Sequence, residues 1–229
     1  MPAAPPQAKA AAFFDVDDTL VTVKTMLSFL QFHLKATGCP EQSYYDAAAG
    51  LEQLTRQGIP RDEVNRAYYR LFAGVLAVEL EDCGALWFRE QLRAESFFHQ
   101  PVVAALAEHR AAGQATVLVS GSFFPALNPI AAYVEAEAVL GTEQVIKDGR
   151  LTGEVVRPMI GAAKGEAVVI WADGAGIDLS DCFAYGDHAT DLDLLCEVGH
   201  PVAVGDDPVL LAHIHRVGGH RLPGSSAAE

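Results

Sequence analysis

The sequence predicts an α/β fold, a doubly wound parallel sheet carrying a small helical cap domain. Three observations support this. Short apolar runs ending abruptly in acids or in Ser-Gly occur at Ala10–Phe14, at ATVLV before Ser120 and at DCFAY before Gly186. Helix-like segments separate the later runs, and such strand–helix alternation indicates a parallel sheet covered on both faces. Between the first run and the rest lie about seventy residues of helical apolar spacing with hardly any strand signal.

Residues 1–9 are rich in Ala and Pro and read as a loose tail. Ala10–Phe14 reads as a short buried strand. In the helical block, TMLSFLQFHLKATG stops at Gly38, and YYDAAAGLEQLTRQG, RDEVNRAYYRLFAGVLAVEL and GALWFREQLRAE continue the period. Its aromatic residues, Tyr44, Tyr45, Tyr68, Tyr69, Phe72, Trp87 and Phe88, read mostly as helix packing. Then follow the helix PVVAALAEHRAAG, the strand ATVLVS, the helix FPALNPIAAYV and a β-like stretch AEAVLGTEQVIKDGRLTGEVV, whose Asp148-Gly149 has hairpin-turn chemistry. The helix KGEAVVIWADGAG, the strand DCFAYGD, the helix TDLDLLCEVG and the strand HPVAVG complete a Rossmann-like core. The expected division is a core of residues 1–23 and 94–229 with a cap of residues 24–93 inserted in it. HIHRVGGH, with His213, His215 and His220, reads as a solvated terminal segment, and GSSAAE as a mobile tail.

Composition narrows the function. In 229 residues, half are hydrophobic and 20% are charged, which excludes wholesale disorder. The formal net charge of −14 argues against a nucleic-acid partner. It leaves room for a small phosphorylated ligand, because a metal ion and local cations can reverse the sign inside a cleft. Cys39, Cys83, Cys182 and Cys196 form no CxxC pair and read as reduced, mostly buried thiols. No charged leader precedes a long apolar stretch and no membrane-length apolar run occurs, so a cytoplasmic protein without a membrane partner is expected.

Four short motifs carry the chemistry. Asp15, Val16, Asp17, Asp18 and Thr19 follow the first strand directly, and in extended chain Asp15 and Asp17 project together. Two such carboxylates call for a cation or a shared proton, and oxygen ligands favour Mg²⁺. An EF-hand does not fit, since Leu20 takes the glycine position and Met26 that of the final glutamate. Ser120, Gly121 and Ser122 end the second strand, where a hydroxyl and free N–H groups can hold phosphate oxygens. Lys164 opens a helix, where a cation can neutralise a phosphoryl group. Asp187 and Asp191 lie four residues apart after the strand DCFAY and can face one cation, with His188 as a loop residue beside them. Any one of these is commonly a cap or a solvated side chain; their order is specific.

FFDVDDTL, VLVSGS, Lys164 in AAKGEA and GDHATDLDLL together resemble the four motifs of the haloacid dehalogenase superfamily in its phosphatase form, over about Ala11 to Pro208. The helical insert after the first motif and the hairpin KDGRLTGEV resemble its phosphoserine-phosphatase-like branch. The resemblance implies hydrolysis of a small phosphorylated metabolite with Mg²⁺ as cofactor. Asp15 would be the nucleophile and Asp17 the general acid and base. Asp15 and Asp187 would bind the metal by side chains and Asp17 by its carbonyl, with Asp191 holding the metal's water shell or the lysine. Thr19, Ser120, Gly121 and Lys164 would hold phosphoryl oxygens. Lys24 stands where phosphoserine phosphatases usually carry a glutamate, which disfavours phosphoserine and marks Lys24 for substrate selectivity; Thr190 stands where Asn is common. A receiver-like phosphoacceptor module, a catalytically silent binding protein and a phosphotransferase on the same fold are the alternatives; the long insert speaks against the first and the intact acids and lysine against the second.

Overall fold

The computed structural model describes residues 8–225. Six strands form one parallel sheet: β1 (Ala11–Asp15), β2 (Ala115–Ser120), β3 (Ala138–Gly141), β6 (Phe183–Gly186), β7 (His200–Val204) and β8 (His220–Leu222), in the order β3-β2-β1-β6-β7-β8. The order reverses at β1, so the ends of β1, β2 and β6 lie side by side at the point where open sheets of this type bind ligands.

Strand β1 shows why the sheet forms. All five residues are buried, and alternate ones enter two different cores. Ala11 and Phe13 join the core under α7 (Ala162–Ala175), α8 (Leu192–Cys196) and α9 (Pro208–Val217). Ala12 and Phe14 face the opposite core, with α5 (Gln100–Ala111) and α6 (Phe124–Val134).

That second core runs on without interruption into four helices between β1 and α5: α1 (Thr25–Ala36), α2 (Glu41–Arg56), α3 (Arg61–Arg70) and α4 (Ala77–Gln91). Phe29, Tyr68, Tyr69, Phe72 and Trp87 are its largest buried side chains there; the first four surround Phe123 of the core, and Trp87 packs on Phe29. Helix α4 lies so close to α6 that a Cβ on Gly84 would fall 2.0 Å from the Pro125 carbonyl oxygen.

The β-like stretch after α6 divides in two. Only β3 joins the main sheet; β4 (Glu143–Lys147) and β5 (Arg150–Arg157) form a separate antiparallel hairpin. Its turn residues Asp148 and Gly149 both have positive φ, 51° and 75°, as a two-residue hairpin turn requires. The hairpin is tied to the helices, with Gly74 N–H donating to Leu151 O at 2.7 Å and Arg66 to Val155 O at 3.1 Å.

Two sequence expectations are corrected here. HIHRVGGH is not a solvated tail: Asp207 caps α9, Gly218 ends it at φ 77°, and the chain returns as edge strand β8, leaving His213 buried. The four cysteines are free, but only Cys83 and Cys182 are buried, because Cys39 and Cys196 fall outside the core faces. Of the expected tails, residues 1–7 and 226–229 lie outside the described residues. Among the described residues no helix is long and apolar enough to cross a membrane.

Candidate active site

Strand register brings the motifs together. Asp15 pairs with Val119, one residue before Ser120, and Phe14 with Tyr185, two before Asp187. From the far side of the sheet Lys164, in the first turn of α7, reaches over the strand ends. Its Nζ donates to Asp15 Oδ1 at 2.5 Å and to Asp191 Oδ1 at 2.6 Å. All three groups are buried, so this lysine is not the solvated side chain that a single Lys usually is.

Small residues allow this closeness. A Cβ on Gly186 would lie 2.5 Å from that of Asp191, so only glycine lets the turn after β6 fold back on its strand. His188 and Asp191 then cap one another, the Thr190 N–H donating to His188 Nδ1 and the His188 N–H to Asp191 Oδ2.

Carboxylate oxygens of Asp15, Asp187 and Asp191 lie within 4.8 Å of one another. Three acids with one lysine leave an excess of negative charge. Burial, then repulsion from Asp191, pushes both the Asp15 and the Asp187 carboxyls up; Lys164 pulls the first back and Lys24 the second. Burial would lower Lys164, but Asp15 and Asp191 override it and hold the ammonium charged. An all-oxygen donor set with unbalanced negative charge fits a hard divalent cation such as Mg²⁺, and contains no sulfur or imidazole to favour zinc.

Asp17 stands apart from this cluster. Its Oδ1 accepts from the Thr25 N–H at 3.1 Å and the Thr25 hydroxyl at 2.6 Å, at the start of α1. Burial raises its carboxyl to about 6, although both Thr25 bonds oppose the shift. Ser120 Oγ accepts from the Ser122 N–H at 3.0 Å, which leaves its own proton to point elsewhere. The next carbonyl, Gly121 O, accepts three hydrogen bonds: from Tyr69 at 2.6 Å, Thr142 at 2.8 Å and Asn65 Nδ2 at 3.1 Å.

Two residues differ from expectation. Thr19 is fully buried and outside the cleft lining; its hydroxyl donates to Asp187 Oδ1 at 3.0 Å, so it positions an acid. Lys24 lines the cleft, but its ammonium is ion-paired with Asp18, which sits at φ 60° in the turn after β1. Sequence reasoning missed Thr25, Asn65, Tyr69 and Thr142 as site residues. Each acts through hydrogen bonds to residues outside its own segment, Thr25 to Asp17 and the other three to Gly121, and none forms part of a motif.

The site opens into a cleft of about 530 Å³ between the strand ends and helices α1 to α3. Comparison with known proteins agrees with this geometry. A family model described as haloacid dehalogenase-like hydrolase matches residues 12–195. The chain is 30% identical over 206 residues to the "Inhibition of morphological differentiation protein" of Streptomyces azureus, covering 88% of this chain and 74% of that one. It is 28% identical over 212 residues to a "Probable phosphatase" of Mycobacterium tuberculosis, covering 88% and 71%. A phosphoserine phosphatase of Halobacterium salinarum is 33% identical over 110 residues, covering 47% and 52%. A solved structure from Bordetella pertussis, described as of unknown function, superposes with a TM-score of 0.83 at 24% identity over 94% of this chain and 98% of that one. With the four motifs converging at one sheet edge and the family match spanning most of the sequence, the chain belongs to the haloacid dehalogenase-like hydrolase family and, within it, is similar to the phosphoserine phosphatases.

Proposed function

We propose that this protein is a Mg²⁺-dependent phosphatase that hydrolyses a small-metabolite phosphate monoester through an aspartyl phosphate on Asp15. The observation that carries this reading is Lys164, buried and shared between Asp15 and Asp191 in a cleft that Ser120 also lines. In the first step a carboxylate oxygen of Asp15 bonds to phosphorus, the ester P–O bond breaks, and Asp17 gives its proton to the leaving alkoxide. In the second, Asp17 takes a proton from water, the water oxygen bonds to phosphorus, and Asp15 leaves with inorganic phosphate as product. Ser120, Gly121 and Lys164 steady the phosphoryl oxygens. Asp15 and Asp187 would hold the metal by side chains and Asp17 by its carbonyl, with Asp191 supporting the lysine; when bound, the ion neutralises charge on the phosphoryl group. Asp17 suits proton transfer because Thr25 turns its carboxylate away from the three clustered acids.

Residues 24–93 act as a cap over the leaving group, with 1–23 and 94–229 as the catalytic core. Lys24 sits where an ammonium-bearing leaving group would approach, and its charge, even shared with Asp18, disfavours phosphoserine.

Phosphate release from p-nitrophenyl phosphate and a panel of metabolite esters tests the reading. Turnover is expected with Mg²⁺ and lost in excess chelator, and Asp15→Asn is expected to lower kcat by on the order of 10⁴ or more with the fold intact. Near-normal turnover by the folded Asn variant, or full activity in chelator, would overturn it. Steady turnover also distinguishes a hydrolase from a receiver-like acceptor, and product analysis with added alcohols distinguishes it from a phosphotransferase.

A further inference from the structure

Asp207 makes two kinds of contact with one carboxylate. It precedes Pro208, the first residue of α9, as an N-cap does, and its Oδ1 accepts from the Val209 N–H at 2.9 Å and the Leu210 N–H at 3.2 Å. A cap needs only this one oxygen. The other, Oδ2, accepts from the Ala189 N–H at 3.1 Å, 18 residues back in the chain. The neighbouring Asp206 is instead ion-paired with Arg221 of β8.

The sheet makes this pairing possible. β6 and β7 are adjacent parallel strands, so the loops that follow them lie side by side. The loop after β6 carries Asp187 and Asp191 with Ala189 between them, and the loop after β7 carries Asp207. Ala189, Thr190 and Asp191 form a single helical turn. Two of its three N–H groups are satisfied within the loop, that of Thr190 by His188 Nδ1 and that of Asp191 by His188 O at 2.7 Å. The third, on Ala189, goes to Asp207 and so ties the turn to α9.

Resting on the phosphatase reading, we propose that Asp207 is a positioning residue for the metal site. Through the Ala189 N–H it holds in place the turn that carries Asp187, a ligand in that reading, and Asp191, the acid that supports Lys164. The role requires both oxygens of a carboxylate. Asn caps a helix about as well as Asp, but it has one oxygen and an NH₂. Two α9 N–H groups against one favour keeping that oxygen on the helix, so in an Asn variant the NH₂ meets the Ala189 N–H, donor against donor.

The test cuts the bond from opposite ends. Asp207→Asn alters the acceptor. Ala189→Pro removes the donor and leaves Asp207 on α9; proline fits there because it opens a helical turn and follows His188 at φ −132° and ψ 154°, the extended region that a residue before proline adopts. Mg²⁺ affinity is read by calorimetry without substrate. Each single variant is expected to bind Mg²⁺ about tenfold or more weakly, the usual effect of losing a group that orients a ligand. The double variant is expected to bind no more weakly than the singles, because the same bond is lost only once. Gly218→Ala is the control for α9: it strains the φ 77° position at the far end of the helix, and is expected to lower the thermal midpoint with Mg²⁺ affinity unchanged. Turnover of p-nitrophenyl phosphate by the single variants is expected to fall at limiting Mg²⁺ and to recover at saturating Mg²⁺. Wild-type Mg²⁺ affinity in both single variants, additive losses in the double variant, or an equal loss in Gly218→Ala would overturn the positioning role alone. Ala189→Pro keeps the cap on α9 and decides even where Asp207→Asn does not fold. Wild-type enzyme that neither binds Mg²⁺ nor hydrolyses p-nitrophenyl phosphate would overturn the phosphatase reading, and the inference with it.

Discussion

Thr19 shows how a hydroxyl that a motif marks for one partner can be held by another in the folded chain. The family resemblance implies a place beside the phosphate, while the folded chain turns its hydroxyl onto Asp187. Thr19→Val preserves shape in a fully buried position and removes one bond to an acid of the carboxylate cluster. Mg²⁺ affinity measured by calorimetry is expected to fall by roughly 10- to 100-fold, the usual effect of losing a group that orients a ligand. An unchanged Mg²⁺ affinity with a raised KM would return Thr19 to the phosphate. The acids themselves were legible, because strand ends and i to i+2 or i+4 spacing are local properties. Thr25, Tyr69 and Thr142 were not, because their partners lie 8, 52 and 21 residues away and nothing in the chain marks such pairings.

Among the secondary-structure elements, the strands of the sheet other than β8, the helical character of the insert and the hairpin turn at Asp148-Gly149 follow from periodicity and turn chemistry, whereas the break between α3 and α4 inside RDEVNRAYYRLFAGVLAVEL does not. What periodicity does not reveal is which face of a helix presses on what. Gly84 and Gly50 are both helical glycines, and intrinsic propensity favours alanine at each by about 1 kcal/mol. At Gly50 a Cβ would meet nothing within 4 Å. At Gly84 it would meet backbone of α6 at 2.0 Å, which cannot rotate aside. Gly50→Ala is therefore expected to raise the thermal midpoint by roughly 2–4 °C. Gly84→Ala is expected to lower it, since overpacking of about 1–3 kcal/mol outweighs the propensity gain. Equal shifts in the two variants would show that α4 and α6 are not in close contact. The apparent single β-stretch after α6 also divides only in three dimensions, where β3 reaches the sheet and the hairpin reaches α3.

For the molecule as a whole, the continuous core across sheet and cap helices links stability to pH. His33 lies beside the rings of Phe29 and Phe72, and its Nδ1 has no partner among the described residues. Burial pushes its imidazolium pKa below the usual histidine value, and Glu79 only partly offsets this. The native state therefore binds fewer protons than the unfolded chain below the ordinary histidine value, about 6.5. The contribution of His33 to stability is expected to be level above that pH, to fall as the pH drops through it, and to level again below the native value. Urea midpoints at several pH values for wild type and His33→Phe test this. The variant is expected to lose less stability on acidification, and identical pH slopes would contradict it.

The three donors on the Gly121 carbonyl have a kinetic meaning. Two of them, Asn65 and Tyr69, ride on α3, and only Thr142 belongs to the core side. If α3 swings outward to admit a ligand, the peptide bearing Ser122 N–H loses most of its polarisation, and with it the tether on Ser120 Oγ slackens. Such a swing would open the cleft to water and loosen the Ser120-Gly121 turn together, and closing it would restore both at once.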